Sequence, residues 1–487
     1  MSTELNKKSN KALAWSSVTE LIAKLITPLV NIVLARLLTP EAFGAVATIT
    51  MIISFAEIFA DAGFQKYIVQ HEFNNENELD KNTNVAFITN LSISTLLVTI
   101  IIIFRNQLAT LVGSENLGNA IAVASFSIIL LAFSSIQIAR FKRDLDFKSL
   151  FFVRIGTSII PLIVTIPIAF IMRNFWALVI GTLAVNLFNA IALTLKSKWK
   201  PKLYYDFAIF KNMFSFSAWT LIESIVIWLT INIDIFIIGN KLNDYYIGIY
   251  KTSMQTVNSY MGLISAAVIP VLFSTLSKYQ NDDFSFNDTF FKFQRLTAIL
   301  VIPMGIGMYF YRNLVTLILL GSQWQEASNF IGIWGLMSSL TIIFSNFASE
   351  VYRSKGNPKL STISQSIHIL LLVPVVCISL KYGFKTLYIS RALIRLQFIF
   401  TNILFMKAFY KLSIKKMLTN IMPATLSALI MGGVAFLLSF VSNSMLWQFA
   451  SIFICVIVYI SALIIAFPKT RKEILSLCSL KSKSRKL

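Results

Sequence analysis

The 487-residue chain is short of nearly everything a soluble enzyme uses. Charged residues make up 13% of it, about half the usual share of roughly 25%. Soluble domains built from this composition could not cover their own surfaces with polar side chains. Acidic residues are especially scarce, 22 against 43 basic ones. Two histidines and three cysteines leave too little for a metal enzyme or a disulfide scaffold. No phosphate-binding P-loop occurs, so this chain does not hydrolyse ATP. The longest polar stretches, 65–84 and 196–212, are too short to fold independently. What remains is apolar: 56% of the residues are hydrophobic, with 41 phenylalanines among them.

The apolar residues fall in runs of about 20, the length a helix needs to cross roughly 30 Å of hydrocarbon. Fourteen such spans are predicted, near 13–36, 43–64, 85–104, 118–139, 150–171, 175–195, 213–238, 246–273, 289–311, 327–349, 361–380, 385–406, 419–441 and 446–467. The fold class is therefore all-α and polytopic. The excess of positive charge is not a nucleic-acid surface, because it is scattered between the spans. With a cytoplasmic N-terminus (Lys7, Lys8, Lys11), most basic residues fall on one side. They sit in Arg140 to Arg143, Lys196 to Lys202, Arg353 to Lys359, Lys407 to Lys416 and the tail Lys481 to Lys486. That bias places both termini in the cytoplasm. The first span lacks a small-residue cleavage site and is expected to be retained.

An internal repeat is visible at an offset of 204 residues: Ala14-Trp15-Ser16 matches Ala218-Trp219-Thr220, and Phe43-Gly44 matches Ile247-Gly248. An offset of six spans keeps the orientation, as in a parallel repeat about an axis along the membrane normal.

Ionisable side chains inside spans are costly and point to function. Glu20 and Lys24 lie four apart in span 1 and can pair, while Arg36 near the end of that span can snorkel. Glu57 and Asp61, also four apart, repel unless a cation or proton joins them, or unless both reach water. Span 7 carries Glu223 and Asp234, and Asp234 stands in an otherwise apolar run. Arg154 enters span 5, and Arg391 and Arg395 lie four apart in span 12. Guanidinium groups inside a bundle suit an anionic cargo, unless they pair with the carboxylates just named. Asp144-Leu-Asp146 matches a metal–sugar pattern, but Arg140, Lys142, Arg143 and Lys148 around it would compete with a divalent ion. Cys377 and Cys455 read as core residues, and His368 as a satisfied histidine.

Several stretches resemble the Wzx/PST polysaccharide flippases. They are Leu34-Ala-Arg-Leu-Leu-Thr-Pro-Glu-Ala-Phe-Gly44 with Asp61-Ala-Gly-Phe64 and Ile68-Val-Gln70, then Arg140-Phe-Lys-Arg-Asp-Leu-Asp-Phe147. A third block is Asp234-Ile-Phe-Ile-Ile-Gly239 with Gly248-Ile-Tyr250 and Pro270-Val-Leu-Phe-Ser-Thr-Leu-Ser277. Together they span about half the chain. The sequence departs at Asn240-Lys241, where members often carry Gly-Arg, so the positive charge is kept one position on.

The resemblance implies the multidrug/oligosaccharidyl-lipid/polysaccharide exporter superfamily. It implies two six-helix lobes with pseudo-two-fold symmetry, 1–200 and 201–410, and two appended helices with a basic tail at 411–487. The implied activity is flipping of an undecaprenyl-pyrophosphate-linked oligosaccharide across the bacterial inner membrane for O-antigen or capsule synthesis. Alternating access would be driven by a proton or sodium gradient, with no enzyme activity and no cofactor. Cavity cations (Lys24, Arg36, Arg154, Lys241, Arg391, Arg395) would attract the pyrophosphate. Acidic residues (Glu20, Glu57, Asp61, Glu223, Asp234) would balance them or carry the coupling ion. The expected partners are the lipid-linked substrate, the bilayer, the coupling ion and the polysaccharide polymerase with its chain-length machinery, acting on a monomer that binds no nucleic acid. Three alternatives stand beside this reading. A cation-coupled drug exporter of the same superfamily would want acidic, aromatic walls. A glycan polymerase or acyltransferase would need a sizeable outer loop carrying a catalytic group. A lipid II flippase would be essential for growth.

Overall fold

A computed structural model describes residue 15, residues 26–61 and 63–468 and residue 471; the side chains of 215–220 and 223 are outside the description. Helices and short connections account for the described residues, and no strand occurs among them. Among the described residues twelve helical stretches are long and apolar enough to cross a membrane, and two shorter apolar helices, Ile26–Leu37 (α1) and Ser224–Gly239, stand where the first and seventh spans are expected. The protein is a multi-pass membrane protein. Its apolar residues coat the outside as well as the inside: Leu446 and Ile465 are 84% and 78% exposed. A coat of this kind is stable only against acyl chains, where every backbone group must also be satisfied within its own helix.

The contacts divide the chain into two compact units, 1–252 and 253–487. The first holds α1, α2 (Pro40–Asp61), the short α3 (Phe64–Gln70), α4 (Glu76–Ile103), the short α5 (Arg105–Leu111), α6 (Gly118–Arg143), α7 (Phe147–Ile160), α8 (Ile166–Met172), α9 (Trp176–Lys196) and α10 (Phe207–Gly239). Helix α11 (Asp244–Lys278) crosses the boundary. In this unit α6 is central, lying against α2, α4 and α9. Its small face (Ala120, Ala124, Ala132, Ser125, Ser134) is buried and lets neighbours approach. Ile49, Ile53, Val98, Ile121 and Ile128 fill one apolar cluster there, and Phe64, Ile68, Phe87 and Ile136 fill another.

The second unit holds the rest of α11 with α12 (Asp283–Phe310), the short α13 (Arg312–Leu319), α14 (Ser328–Thr341), α15 (Phe347–Ser354), α16 (Lys359–Leu380), α17 (Phe384–Leu393), α18 (Arg395–Tyr410), α19 (Ile414–Leu438) and α20 (Met445–Ala466). Here α12 is flanked by α14 and α19, and α19 by α20.

Each unit contains the same local construction. Helix α4 starts on the N-cap Asn75, whose side chain accepts from the Glu78 amide, and α12 starts on Asp282, which accepts from the amides of Phe284 and Ser285. The Ser285 hydrogen bonds hold the exposed Asp282 carboxyl below the ordinary carboxylate range. Both long helices break at one aromatic residue with similar backbone angles, Phe104 (φ −96°, ψ 15°) and Tyr311 (φ −99°, ψ 22°). Arg105-Asn106 and Arg312-Asn313 then open the short helices α5 and α13. Each short helix gives way to Gly-Ser, with Gly113 at φ 78° and Gly321 at φ 105°, and a tight helical stretch of three (Glu115–Leu117) or six (Ser322–Ala327) residues before the next span. Left-handed backbone of this kind suits glycine. The repeat is thus written in breaks and caps as well as in apolar runs.

Hydropathy misplaced some ends. Helix α4 begins nine residues before the predicted span, because its first turns are polar (Glu76, Glu78, Asp80) and set by a cap, not by lipid. The polar stretch 65–84, which lies between the second and third expected spans, is therefore mostly helix. Span 5 is two helices joined by a wider turn, Pro161–Thr165, where the proline cannot donate to the preceding turn.

Candidate functional site

Arg391 and Arg395, four residues apart, come to the same place in the second unit. The guanidinium carbon of Arg395 lies 3.8 Å from the centre of the Trp334 ring and that of Arg391 lies 5.3 Å from it. Arg391 is buried and Arg395 half-buried. Trp334 is held in turn: its indole nitrogen donates to Asn258 Oδ1 on α11 (3.1 Å), and its ring meets Phe330 edge-on at 5.6 Å. Phe330 stacks on Tyr388 of α17. One turn along α14 from Trp334, Ser338 accepts a 2.6 Å hydrogen bond from Arg395 Nη1. The indole face offsets part of the cost of placing two cations in a membrane helix bundle. A guanidinium presents its donors in one plane, the geometry that matches carboxylate and phosphate oxygens.

The other predicted cations are placed differently. Arg36, Arg154 and Lys241 are exposed, not buried in a bundle. Lys241 follows the end of α10, where Asn240 Nδ2 donates to the Leu111 carbonyl at 3.1 Å. Lys24 and its expected partner Glu20 lie outside the described residues, and so does the Glu223 side chain.

Among the carboxylates, Asp234 is fully buried in α10. Tyr250 of α11 donates its hydroxyl to Asp234 Oδ2 at 2.7 Å, and the Ile235 amide donates to Oδ1 at 2.9 Å. A carboxylate at this depth survives only with such donors. Glu57 and Asp61 are half-buried on α2. Glu57 borders a small cavity of about 70 Å³ whose wall is mostly apolar (Val46, Ile49, Leu183) with Thr50, Ser54, Ser127 and Thr182 among it. Asp61 Oδ1 is buried without a hydrogen-bond partner. Helix α10 is pinned on this stretch of α2 by Trp228, which donates to Ser54 Oγ at 2.9 Å and packs on Phe55.

Several expectations outside the site find their explanation. Asp146 caps α7, accepting from the amide and hydroxyl of Ser149 at 3.1 and 2.7 Å. Arg140 pairs with Asp80 at 2.9 Å and Glu76 at 3.5 Å, so its charge helps hold α6 on α4. His368 faces Gln397 at 3.1 Å. Cys455 is buried beside the Tyr311 hydroxyl, as expected, whereas Cys377 is exposed on α16 and does not belong to the core.

Trp334, Asn258, Ser338 and Tyr250 are not singled out by the sequence as functional. Only their roles around Arg391, Arg395 and Asp234 bring them forward. Gly44 and Gly248, by contrast, are the repeat-related glycines, and they touch. A methyl on Gly44 would collide with the Asp244 carbonyl, and one on Gly248 with the Pro40 carbonyl, so the start of α2 and the start of α11 sit backbone on backbone.

The "Succinoglycan biosynthesis transport protein ExoT" of Rhizobium meliloti (strain 1021) is 23% identical over 65% of this chain and 63% of its own length. The solved structure "Lipid II flippase MurJ, inward closed conformation" superposes with a TM-score of 0.75 at 19% identity, over 94% of this chain and 99% of that one. A multidrug resistance MATE family transporter of the MOP superfamily, inward-facing, gives a TM-score of 0.60 at 13% identity over 82% and 98%. At these identities the structures speak for the fold, which is that of flippases and exporters. Residues 33–329, more than half of the chain, match the family described as "Polysaccharide biosynthesis protein", and the chain belongs to that family.

Proposed function

We propose that the protein is a flippase that carries an undecaprenyl-pyrophosphate-linked oligosaccharide repeat unit across the bacterial inner membrane for surface polysaccharide synthesis. Family membership and a transporter fold support this reading, and so do ExoT, named for succinoglycan transport, and MurJ, named for lipid II flipping. The observation that carries it is the pair Arg391 and Arg395 converging on Trp334, a fixed dicationic group inside a membrane bundle. Polyprenyl pyrophosphate is a planar-donor acceptor of the kind two guanidinium groups bind bidentately. A cationic drug would be repelled there.

In this reading the chain is a transporter and not an enzyme, working as a monomer with both termini cytoplasmic. Lobes 1–200 and 201–410 give alternating access, with 411–487 appended. Lys24, Arg36, Arg154 and Lys241 assist the two arginines with the pyrophosphate. Glu20, Glu57, Asp61, Glu223 and Asp234 balance charge or carry a proton or sodium ion. The polysaccharide polymerase takes the product.

The test is translocation of fluorescent undecaprenyl-pyrophosphate oligosaccharide in vesicles holding the full chain. Replacing both arginines by glutamine is expected to slow it roughly tenfold or more, and replacing both by lysine to restore part of the rate, since lysine keeps charge but loses the bidentate fork. Unchanged translocation with both glutamines would remove the arginine pair from the mechanism; none by the wild type would remove the flippase reading itself.

A further inference from the structure

A second cavity, of about 530 Å³, opens in the first unit where α6, α7 and α9 end together. Its wall combines two indoles, Trp15 and Trp199, with Arg140, Lys148, Lys196 and Lys198. The cations differ in how far they are committed. Arg140 is balanced by Asp80 and Glu76. Lys196 rests over the Phe152 ring at 5.2 Å, a contact that leaves its charge in place. Among the described residues no carboxylate lies within ion-pairing distance of Lys148, Lys196 or Lys198, although Asp144 and Asp146 also line the wall. Asp146 already accepts two hydrogen bonds from Ser149.

The floor supplies an independent sign of a missing acceptor. Trp199 is buried against Phe87, and its indole N–H has no hydrogen-bond partner. A buried donor left unpaired costs about 1–3 kcal/mol, so an acceptor on this wall would be favoured. Trp15 packs on Phe151 and Phe152 at 4.8 and 6.2 Å, giving the cavity an apolar flank at the level where indoles meet headgroups.

We propose that this cavity is a phosphate-headgroup site for a membrane lipid, separate from the Arg391–Arg395 cluster. Basic pockets between membrane helices on the cytoplasmic side recognise phosphorylated headgroups through lysine charge, while their apolar flanks accommodate the start of the acyl or prenyl chain. The α6, α7 and α9 ends here are the basic ends that the charge bias assigns to the cytoplasm. Resting on the flippase reading, the site is where the pyrophosphate of the substrate is captured before translocation. A structural phospholipid would use the same chemistry.

The experiment is native mass spectrometry of the full chain in a neutral detergent, titrated separately with undecaprenyl pyrophosphate and with phosphatidylglycerol. The cavity variant is Lys148→Gln, Lys196→Gln and Lys198→Gln combined, all exposed and so compatible with folding. The control variant neutralises three other exposed lysines, Lys359, Lys407 and Lys415. A tenfold or greater loss of pyrophosphate-lipid affinity in the cavity variant alone supports capture of substrate; equal losses for both lipids support a general anionic-lipid site. Trp199→Phe, which keeps the ring and removes the donor, is expected to weaken binding a few-fold. Equal affinity of cavity variant and wild type for both lipids, or an equal loss in the control, overturns the proposal. Binding is read without transport, so a wild-type chain that binds but does not translocate would fail the flippase reading and leave the site standing.

Discussion

The contact between Gly44 and Gly248 admits a sharp test, because it is reciprocal. A methyl on Gly44 overlaps the Asp244 carbonyl oxygen and lies 2.7 Å from its carbon and 2.9 Å from the Gly248 nitrogen. A methyl on Gly248 overlaps the Pro40 carbonyl oxygen and lies 2.7 Å from its carbon and 3.0 Å from the Gly44 nitrogen. All of these atoms are backbone and cannot rotate away. Ordinary contact begins at 3.4 Å, so either methyl forces the two helices apart by about 0.7 Å or more. Overpacking of that kind costs about 1–3 kcal/mol, and in a bilayer the lost close contact is itself the main attraction between helices. Gly44→Ala and Gly248→Ala should each lower the melting midpoint of the detergent-solubilised protein by several degrees. One opening relieves both collisions, so the double variant should cost about as much as the worse single one, a coupling of about 1–3 kcal/mol. Gly262→Ala and Gly433→Ala make suitable controls, since a methyl at either meets nothing within 4 Å; helix propensity favours alanine there by up to about 1 kcal/mol. Scanning fluorimetry reads all five. An additive double variant, or single variants as stable as the controls, would refute the backbone-on-backbone crossing.

Two further predictions concern charges. Asp234→Asn should leave expression and membrane insertion intact and reduce transport severalfold, whereas Tyr250→Phe, which leaves the buried carboxylate one donor short, should cost about 1–3 kcal/mol of stability; normal complementation of a flippase-deficient strain by Asp234→Asn would dismiss that carboxylate from the mechanism. At the basic ends of the two units both bases are covered, Arg140 at 12% and Lys355 at 17% exposed, but Asp80 is 42% exposed and Asp283 87%. Arg140→Gln should therefore destabilise by about 1–2 kcal/mol and Lys355→Gln by less than about 1 kcal/mol, with equal melting points counting against the distinction.

The helices were legible where lipid alone decides them. Spans such as 175–195 and 446–467 coincide with α9 and α20 to within a residue or two, because an apolar run of membrane length has one low-energy state in hydrocarbon. Ends set by side-chain chemistry were not legible from hydropathy. Asn75 extends α4 into polar residues and Pro161 widens a turn without ending the span, whereas the expected ends at 104 and 311 fall on the Phe104 and Tyr311 breaks. The repeat was visible at Gly44 and Gly248 yet faint in residue identities. Its clearest expressions, the aromatic–Arg-Asn break and the Gly-Ser before the next span, are short and fall at slightly different offsets from the glycine pair. A comparison of breaks would find them where a comparison of apolar runs does not.

For the site, spacing conveyed half of the information. A spacing of four predicts that Arg391 and Arg395 share one side of a helix; the helix breaks at Ile394, so Arg391 ends α17 and Arg395 opens α18, yet both still reach the same ring. What sequence spacing cannot contain is the ring they share: Trp334 lies on another helix, in a run of apolar residues indistinguishable by composition from any other. The same holds for Tyr250, whose hydroxyl turns Asp234 from an expensive charge into a satisfied one. A charge in a membrane span announces itself by its cost, while the group that meets that cost is usually neutral, aromatic and ordinary in hydropathy. Candidate cations and carboxylates are therefore the readable half of such sites, and their aromatic or hydroxyl counterparts become readable only when packing brings separate helices together.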